Sequence, residues 1–145
     1  MYRRGNGTLE VFLIHPGGPF WNRKDDGAWS IPKGEYDDEE EPLAAAKREF
    51  IEETGFAPGE TCIELRPVKQ AGGKTVRAWA FEGDCDAAQF VSNTFEIEWP
   101  PRSGKLRTFP EVDKAAWFGL AEARRKINVG QALLLDDLEA MLSQA

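Results

Sequence analysis

Glu49, Glu52 and Glu53 stand at i, i+3 and i+4 within the stretch Pro42 to Thr54. If that stretch is helical, at about 100° per residue the carboxylates share one face. Like charges at this spacing repel by roughly a few tenths of a kcal/mol per exposed pair, and by more beside a buried ring such as Phe50. Arg48, at i, i+4 to Glu52, compensates one carboxylate, but one guanidinium cannot neutralise the set. A hard divalent cation can. Clustered carboxylate oxygens suit magnesium or manganese and leave coordination positions for water and phosphate oxygens. The alternative is a solvated acidic face, the ordinary fate of a Glu-rich helix.

The helix that must carry these residues is well punctuated. Acids precede Pro42, which is placed at N1, and Gly55 follows Thr54 where a left-handed cap is expected. Leu43, Ala46 and Phe50 recur at i, i+3 and i+7 and are predicted to face the core. Glu10 to His15 reads as a buried strand, and Ile63 to Lys69 and Thr75 to Glu82 read as two more, joined as a hairpin across Gly72-Gly73. Ala116 to Gly119 is a further strand candidate, and Gln131 to Leu142 has the pattern of a second helix. Mixed strands and helices without repeat or linker predict one layered α/β domain over residues 1–145. Few residues precede Glu10, so any earlier strand is expected to be truncated.

Gly34, five residues, Glu40, seven residues and then Arg48-Glu49-Phe50-Ile51-Glu52-Glu53-Thr54-Gly55-Phe56 resembles the complete signature of the Nudix hydrolases, with seven fixed and two apolar positions matched without a gap. Trp29-Ser30-Ile31-Pro32-Lys33-Gly34 is similar to the lead-in of many members, and Glu111-Val112-Asp113 ahead of Trp117-Phe118 is similar to a later family segment. The departure is at the N-terminus, where the family usually has another strand before the one placed at Glu10 to His15. The resemblance implies a Nudix-type α/β/α sandwich with a mixed β-sheet, the Nudix helix at about Pro42–Thr54 and a C-terminal helix. It also implies cleavage of a pyrophosphate bond in a nucleoside diphosphate linked to another group.

By the same resemblance Glu49, Glu52 and Glu53 hold divalent ions (Mg2+ or Mn2+), and Arg48 orients a carboxylate. Gly34 belongs to the metal-site set and, with Gly55, supplies the turns around the helix, while Glu40 is an outer candidate. Water must attack phosphorus beside several negative oxygens, and cations both acidify that water and shield the phosphates. The general base stays open between a signature carboxylate, Glu52 or Glu53, and one from a later loop, for which Glu111 is the first candidate and Glu96 and Glu98 compete. Lys33 is a candidate point charge for a substrate phosphate. Phe20, Trp21, Trp29 and Phe109 are candidates for stacking on a nucleobase. His15, the only histidine, ends a strand and is read as structural.

For the substrate, the proline that ADP-ribose hydrolases tend to carry beyond the signature would fall near Ala71, and Pro67 comes too early. The downstream tyrosine common in dinucleoside polyphosphate hydrolases is missing, since Tyr2 and Tyr36 are the only tyrosines. Pro32-Lys33-Gly34 nevertheless resembles that group, so the expected substrate is a nucleoside polyphosphate, either a nucleoside triphosphate or a dinucleoside polyphosphate. The alternative is a catalytically idle Nudix-like nucleotide sensor, which is expected to lose signature carboxylates that this chain keeps.

Composition excludes other classes. With 18 Lys+Arg against 25 Asp+Glu, the net charge of −7 opposes binding to long nucleic acid. No apolar run approaches the roughly twenty residues of a membrane span. The first ten residues hold no apolar leader core, and Cys62 and Cys85 form no paired motif. The expected location is therefore cytoplasmic, with packing thiols rather than disulfides. Gly73-Lys74-Thr75 lacks the first glycine of a P-loop and opens a strand, and the acidic run Asp37 to Glu41 lacks the alternation of a calcium loop. Asn6-Gly7-Thr8 matters as a glycosylation sequon only in a secreted chain. A homodimer is compatible with the chain, but no interface is identified by it.

Overall fold

Val11 to His15 places bulky side chains at consecutive positions, as a strand buried on both faces requires. The computed structural model describes residues 1–5, 7–33, 39–69 and 73–143, and in it these five residues are all buried. In chain order the elements are β1 (Tyr2–Gly5), β2 (Thr8–Pro16), α1 (Pro42–Thr54), β3 (Ile63–Glu64), β4 (Val68–Lys69), β5 (Thr75–Val76), β6 (Trp79–Ala80), β7 (Thr94–Glu98), β8 (Leu106–Pro110), β9 (Val112–Gly119), α2 (Leu120–Lys126) and α3 (Ala132–Ser143).

β2 is the centre of a sheet ordered β1-β2-β9, antiparallel on both sides. A strand therefore does precede Glu10, against the expectation from the sequence. Gly5 pairs with Thr8 across a two-residue connection in which Gly7 has φ 77°. Gly7 at positive φ suits the tight connection that lets very few residues make a strand. The expected hairpin appears as two antiparallel pairs, β3 with β6 and β4 with β5; Gln70, Ala71 and Gly72 lie outside the described residues. Past β6, Tyr2 N–H donates to Phe81 O at 3.0 Å and Gly83 N–H to Tyr2 O at 2.9 Å, a parallel contact with β1. The sheet is thus mixed, and the α/β arrangement implied by the resemblance is present.

Alternation along β2 divides the interior. Val11 and Leu13 face a cluster with Phe118, Ile127 and α3 residues Leu134, Leu135 and Leu138. Phe12 and Ile14 face Val112, Phe56, Phe90 and Trp117. The carboxylate-bearing helix α1 starts on Glu41, whose side chain accepts from Leu43 N and Ala44 N at 3.1 and 2.8 Å. It stops at Gly55, φ 78°, whose N–H donates to Ile51 O at 2.8 Å. A Cβ on Gly55 would lie 3.1 Å from Val91, so both conformation and space select glycine here. Phe50 is buried, 5.2 Å edge-to-face from Phe81, and burial of such a ring is worth about 2 kcal/mol. The predicted core face is shifted: Ala45 is buried, while Leu43 and Ala46 are half-buried on the wall of a cavity. None of the described helices is long and apolar enough to cross a membrane.

Candidate active site

Arg48 is the hub of the acidic face. Its Nε and Nη2 bond the two oxygens of Glu40 at 2.9 and 3.0 Å, and Nη1 bonds Glu49 at 2.8 Å and Glu52 at 3.1 Å. These partners, Glu40 first, raise the guanidinium above its ordinary range. The planar fork is what allows one side chain to serve three carboxylates. Glu40, a peripheral reading from sequence, is thus the bidentate anchor of Arg48.

Glu53 is outside that network. It is 9% exposed, and one carboxylate oxygen accepts the Lys33 backbone N–H at 2.7 Å. Burial pushes its carboxyl up to about 7; the negative charges of Glu49 and Glu111 push the same way, and the Lys33 hydrogen bond and charge oppose them. Glu111 therefore lies close enough to Glu53 to be felt, whereas Glu96 and Glu98 stand along the exposed β7–β8 hairpin.

The join between α1 and Glu111 is made of backbone. Val91 N–H donates to Thr54 O at 2.8 Å and Asn93 N–H to Glu52 O at 3.0 Å, satisfying carbonyls that the helix end leaves open. Asn93 O then accepts Glu111 N–H at 2.8 Å, and Glu111 O accepts Gly17 N–H at 2.9 Å. Asn93 and Gly17 are positioning residues that the sequence reading missed. The dipeptide Gly17-Gly18 between prolines is a tight-turn signal that could have marked one of them; Asn93 acts through its main chain and leaves no side-chain signal.

The remaining candidates separate. Lys33 is exposed on the rim of a cavity of about 470 Å3 between α1 and the sheet, where Glu49 also contributes, and Phe50, Val76 and Trp79 give it apolar walls. Phe20 is 57% exposed, edge-on to Trp99 at 5.3 Å, and Trp21 is 37% exposed under the Lys24 ammonium at 4.8 Å. Phe109 packs on Phe95 at 6.1 Å. Trp29 is corrected: it is 6% exposed, packs on Phe118 at 4.9 Å and spends its indole N–H on Asp25 at 2.8 Å. No ring face is left for a base. Gly34 lies outside the described residues, and among the described residues no three carboxyl, thiol or imidazole groups converge as a ready metal centre.

The NUDIX domain family model matches residues 2–138. Among solved structures, a Caenorhabditis elegans Ap4A hydrolase binary complex is 23% identical with a TM-score of 0.63, the match covering 99% of this chain and 93% of that one. The NUDIX domain of Shewanella oneidensis NrtR complexed with ADP ribose is 18% identical with a TM-score of 0.62, over 97% of this chain and 82% of that one. A mutT/nudix family protein from Listeria innocua is 17% identical with a TM-score of 0.61, over 99% and 88%. At these identities the structures speak to the fold. No curated protein sequence gives a significant match.

Proposed function

The chain belongs to the NUDIX domain family and is a hydrolase of pyrophosphate bonds, and from that premise we propose a divalent-metal-dependent pyrophosphohydrolase of nucleoside polyphosphates. The observation that carries this reading is Glu53, a buried carboxyl that stands beside Glu49 and Glu111 and outside the Arg48 network. Gathering acids in a half-buried place costs stability, and such clusters concentrate where chemistry needs them.

Nudix enzymes generally use a divalent metal, and the donors here are all hard carboxylate oxygens, which fit Mg2+ or Mn2+. Glu49, Glu52 and Glu53 are the residues that would hold it. Bound there, the ion would supply charge to phosphate oxygens and lower the pKa of water. Arg48, bonded to both oxygens of Glu40 and through Nη1 to Glu49 and Glu52, holds two of the three donors in place. Lys33 holds Glu53 in place with its backbone N–H and offers its ammonium to a substrate phosphate. Glu111, exposed and braced by Asn93 and Gly17, accepts the proton of the attacking water.

The apolar cavity beside Glu49 and Lys33 is large enough for a nucleoside. Phe20, Trp21 and Phe109 offer a second aromatic surface near the Glu111 segment. Two such surfaces suit a ligand with two ends, which favours a dinucleoside polyphosphate over a nucleoside triphosphate. The test is Mg2+-dependent product release from nucleoside triphosphates, dinucleoside polyphosphates, nucleotide sugars and ADP-ribose, with each product identified. Selective turnover of a dinucleoside polyphosphate is expected. Nucleotide binding without turnover of any substrate would overturn the hydrolase reading in favour of an idle binding domain.

A further inference from the structure

His15 is fully buried, with Asp113 Oδ1 2.7 Å from Nδ1 and the Lys24 carbonyl oxygen 2.6 Å from Nε2. A carbonyl oxygen only accepts, so Nε2 carries the hydrogen of the Lys24 bond. With Asp113 on Nδ1, the ring is hydrogen-bonded at both nitrogens and so joins two separate segments of the chain. The other charged groups around the ring are engaged elsewhere or exposed. The Lys24 ammonium lies over Trp21 at 4.8 Å. Asp25 is bonded to Lys126 and to the indole N–H of Trp29, whose ring meets His15 edge-on at 5.2 Å. Lys114, opposite His15 in the register of β9, is exposed.

The elements that meet at His15 carry proposed parts of the site. The β2–β9 register breaks between His15 and Pro16, and bulges of this kind commonly re-aim residues near active sites. Immediately beyond, a Cβ on Gly17 would collide with Pro110 O, so the chain passes in backbone contact with the segment bearing Glu111. Lys24 closes the turn that begins at Trp21, with Lys24 N–H to Trp21 O at 2.9 Å, and the Nε2 bond therefore ties down the loop presenting Phe20 and Trp21. Asp113 stands two residues beyond Glu111 on the other side.

We propose that His15, hydrogen-bonded through both ring nitrogens, is a positioning residue that clamps the loop of residues 17–28 and the start of β9 to one point of β2, fixing Phe20 and Trp21 relative to Glu111. The consequence for substrate rests on the hydrolase reading; the clamp itself does not.

As His15 is the only histidine, nitrogen-15 NMR of the full chain reads its ring without ambiguity. A slowly exchanging Nε2–H, held on the Lys24 carbonyl, is expected in the wild type. An Nε2–H that exchanges as fast as that of a solvent-exposed imidazole would overturn the clamp. In the kinetic arm, His15→Gln, which cannot span both partners, is expected to raise KM about tenfold while kcat stays within about twofold. An unchanged KM, or a fall confined to kcat, would overturn the positioning role. Should His15→Gln not fold, Asp113→Asn carries the same test through faster amide exchange at residues 20–24 than at β2, with equal exchange as the contrary result. A wild type that turns over no substrate refutes the hydrolase reading, while the ring signals still judge the clamp.

Discussion

Replacing Glu53 by Gln removes a charge and keeps an acceptor for the Lys33 N–H at the same reach. The folded carboxyl is pushed up to about 7 against an ordinary 4.5, a difference equivalent to about 3 kcal/mol. The sign follows from proton binding. Between those values the folded chain keeps a proton that the unfolded chain has lost, so the contribution of Glu53 to stability is fully present below about pH 4.5 and is lost as pH rises through about 7. Gln does not titrate. With metal chelated, urea unfolding at a series of pH values from about 5 to about 8 should show the stability of Glu53→Gln rising relative to wild type by about 2 kcal/mol, equivalent to several degrees in Tm for a chain this size. The same variant should lose about two orders of magnitude in turnover. A stability difference flat with pH would refute the claim that burial raises the Glu53 carboxyl, whatever the activity.

Arg48→Lys should shift activation to higher Mg2+ concentration without rescue at any pH, because an ammonium cannot reproduce the fork that reaches Glu40, Glu49 and Glu52; an unchanged Mg2+ titration of activity would contradict this. Trp29→Ala should cost about 3 kcal/mol or more in denaturant unfolding through loss of core packing, with KM held in the folded fraction. Trp21→Ala should do the reverse, raising KM about tenfold with little loss of stability, and similar effects from both tryptophans would break the distinction. Gly17→Ala should destabilise by about 2 kcal/mol or more, since its methyl would strike the Pro110 carbonyl; wild-type thermal stability would show that the turn relaxes freely.

The helix that bears the signature was legible to the residue because its limits are local: Glu41 caps it, Pro42 begins it and Gly55 ends it. β2 was legible because a strand buried on both faces must be continuously apolar. β7 and β8 passed unnoticed because they expose most of their residues and gain their support from each other. α2 begins directly on the end of β9 without a side-chain cap, so nothing local announces it. In the site, the carboxylates and Arg48 could be named from helical spacing. Asn93 and Gly17 could not, since main-chain hydrogen bonds carry no residue signature. Trp29 was misread because exposure of an aromatic ring is set by what Phe118 and His15 bring to it from distant parts of the chain.

The central claim is that Glu49, Glu52 and Glu53 hold a divalent ion on which pyrophosphate cleavage depends. The most direct test is turnover of the best substrate by the chelated wild-type chain and Glu53→Gln as Mg2+ is added back. Near-zero turnover without metal, recovery in the wild type and none in the variant are predicted. Equal turnover with and without metal, or equal recovery in both chains, would contradict it.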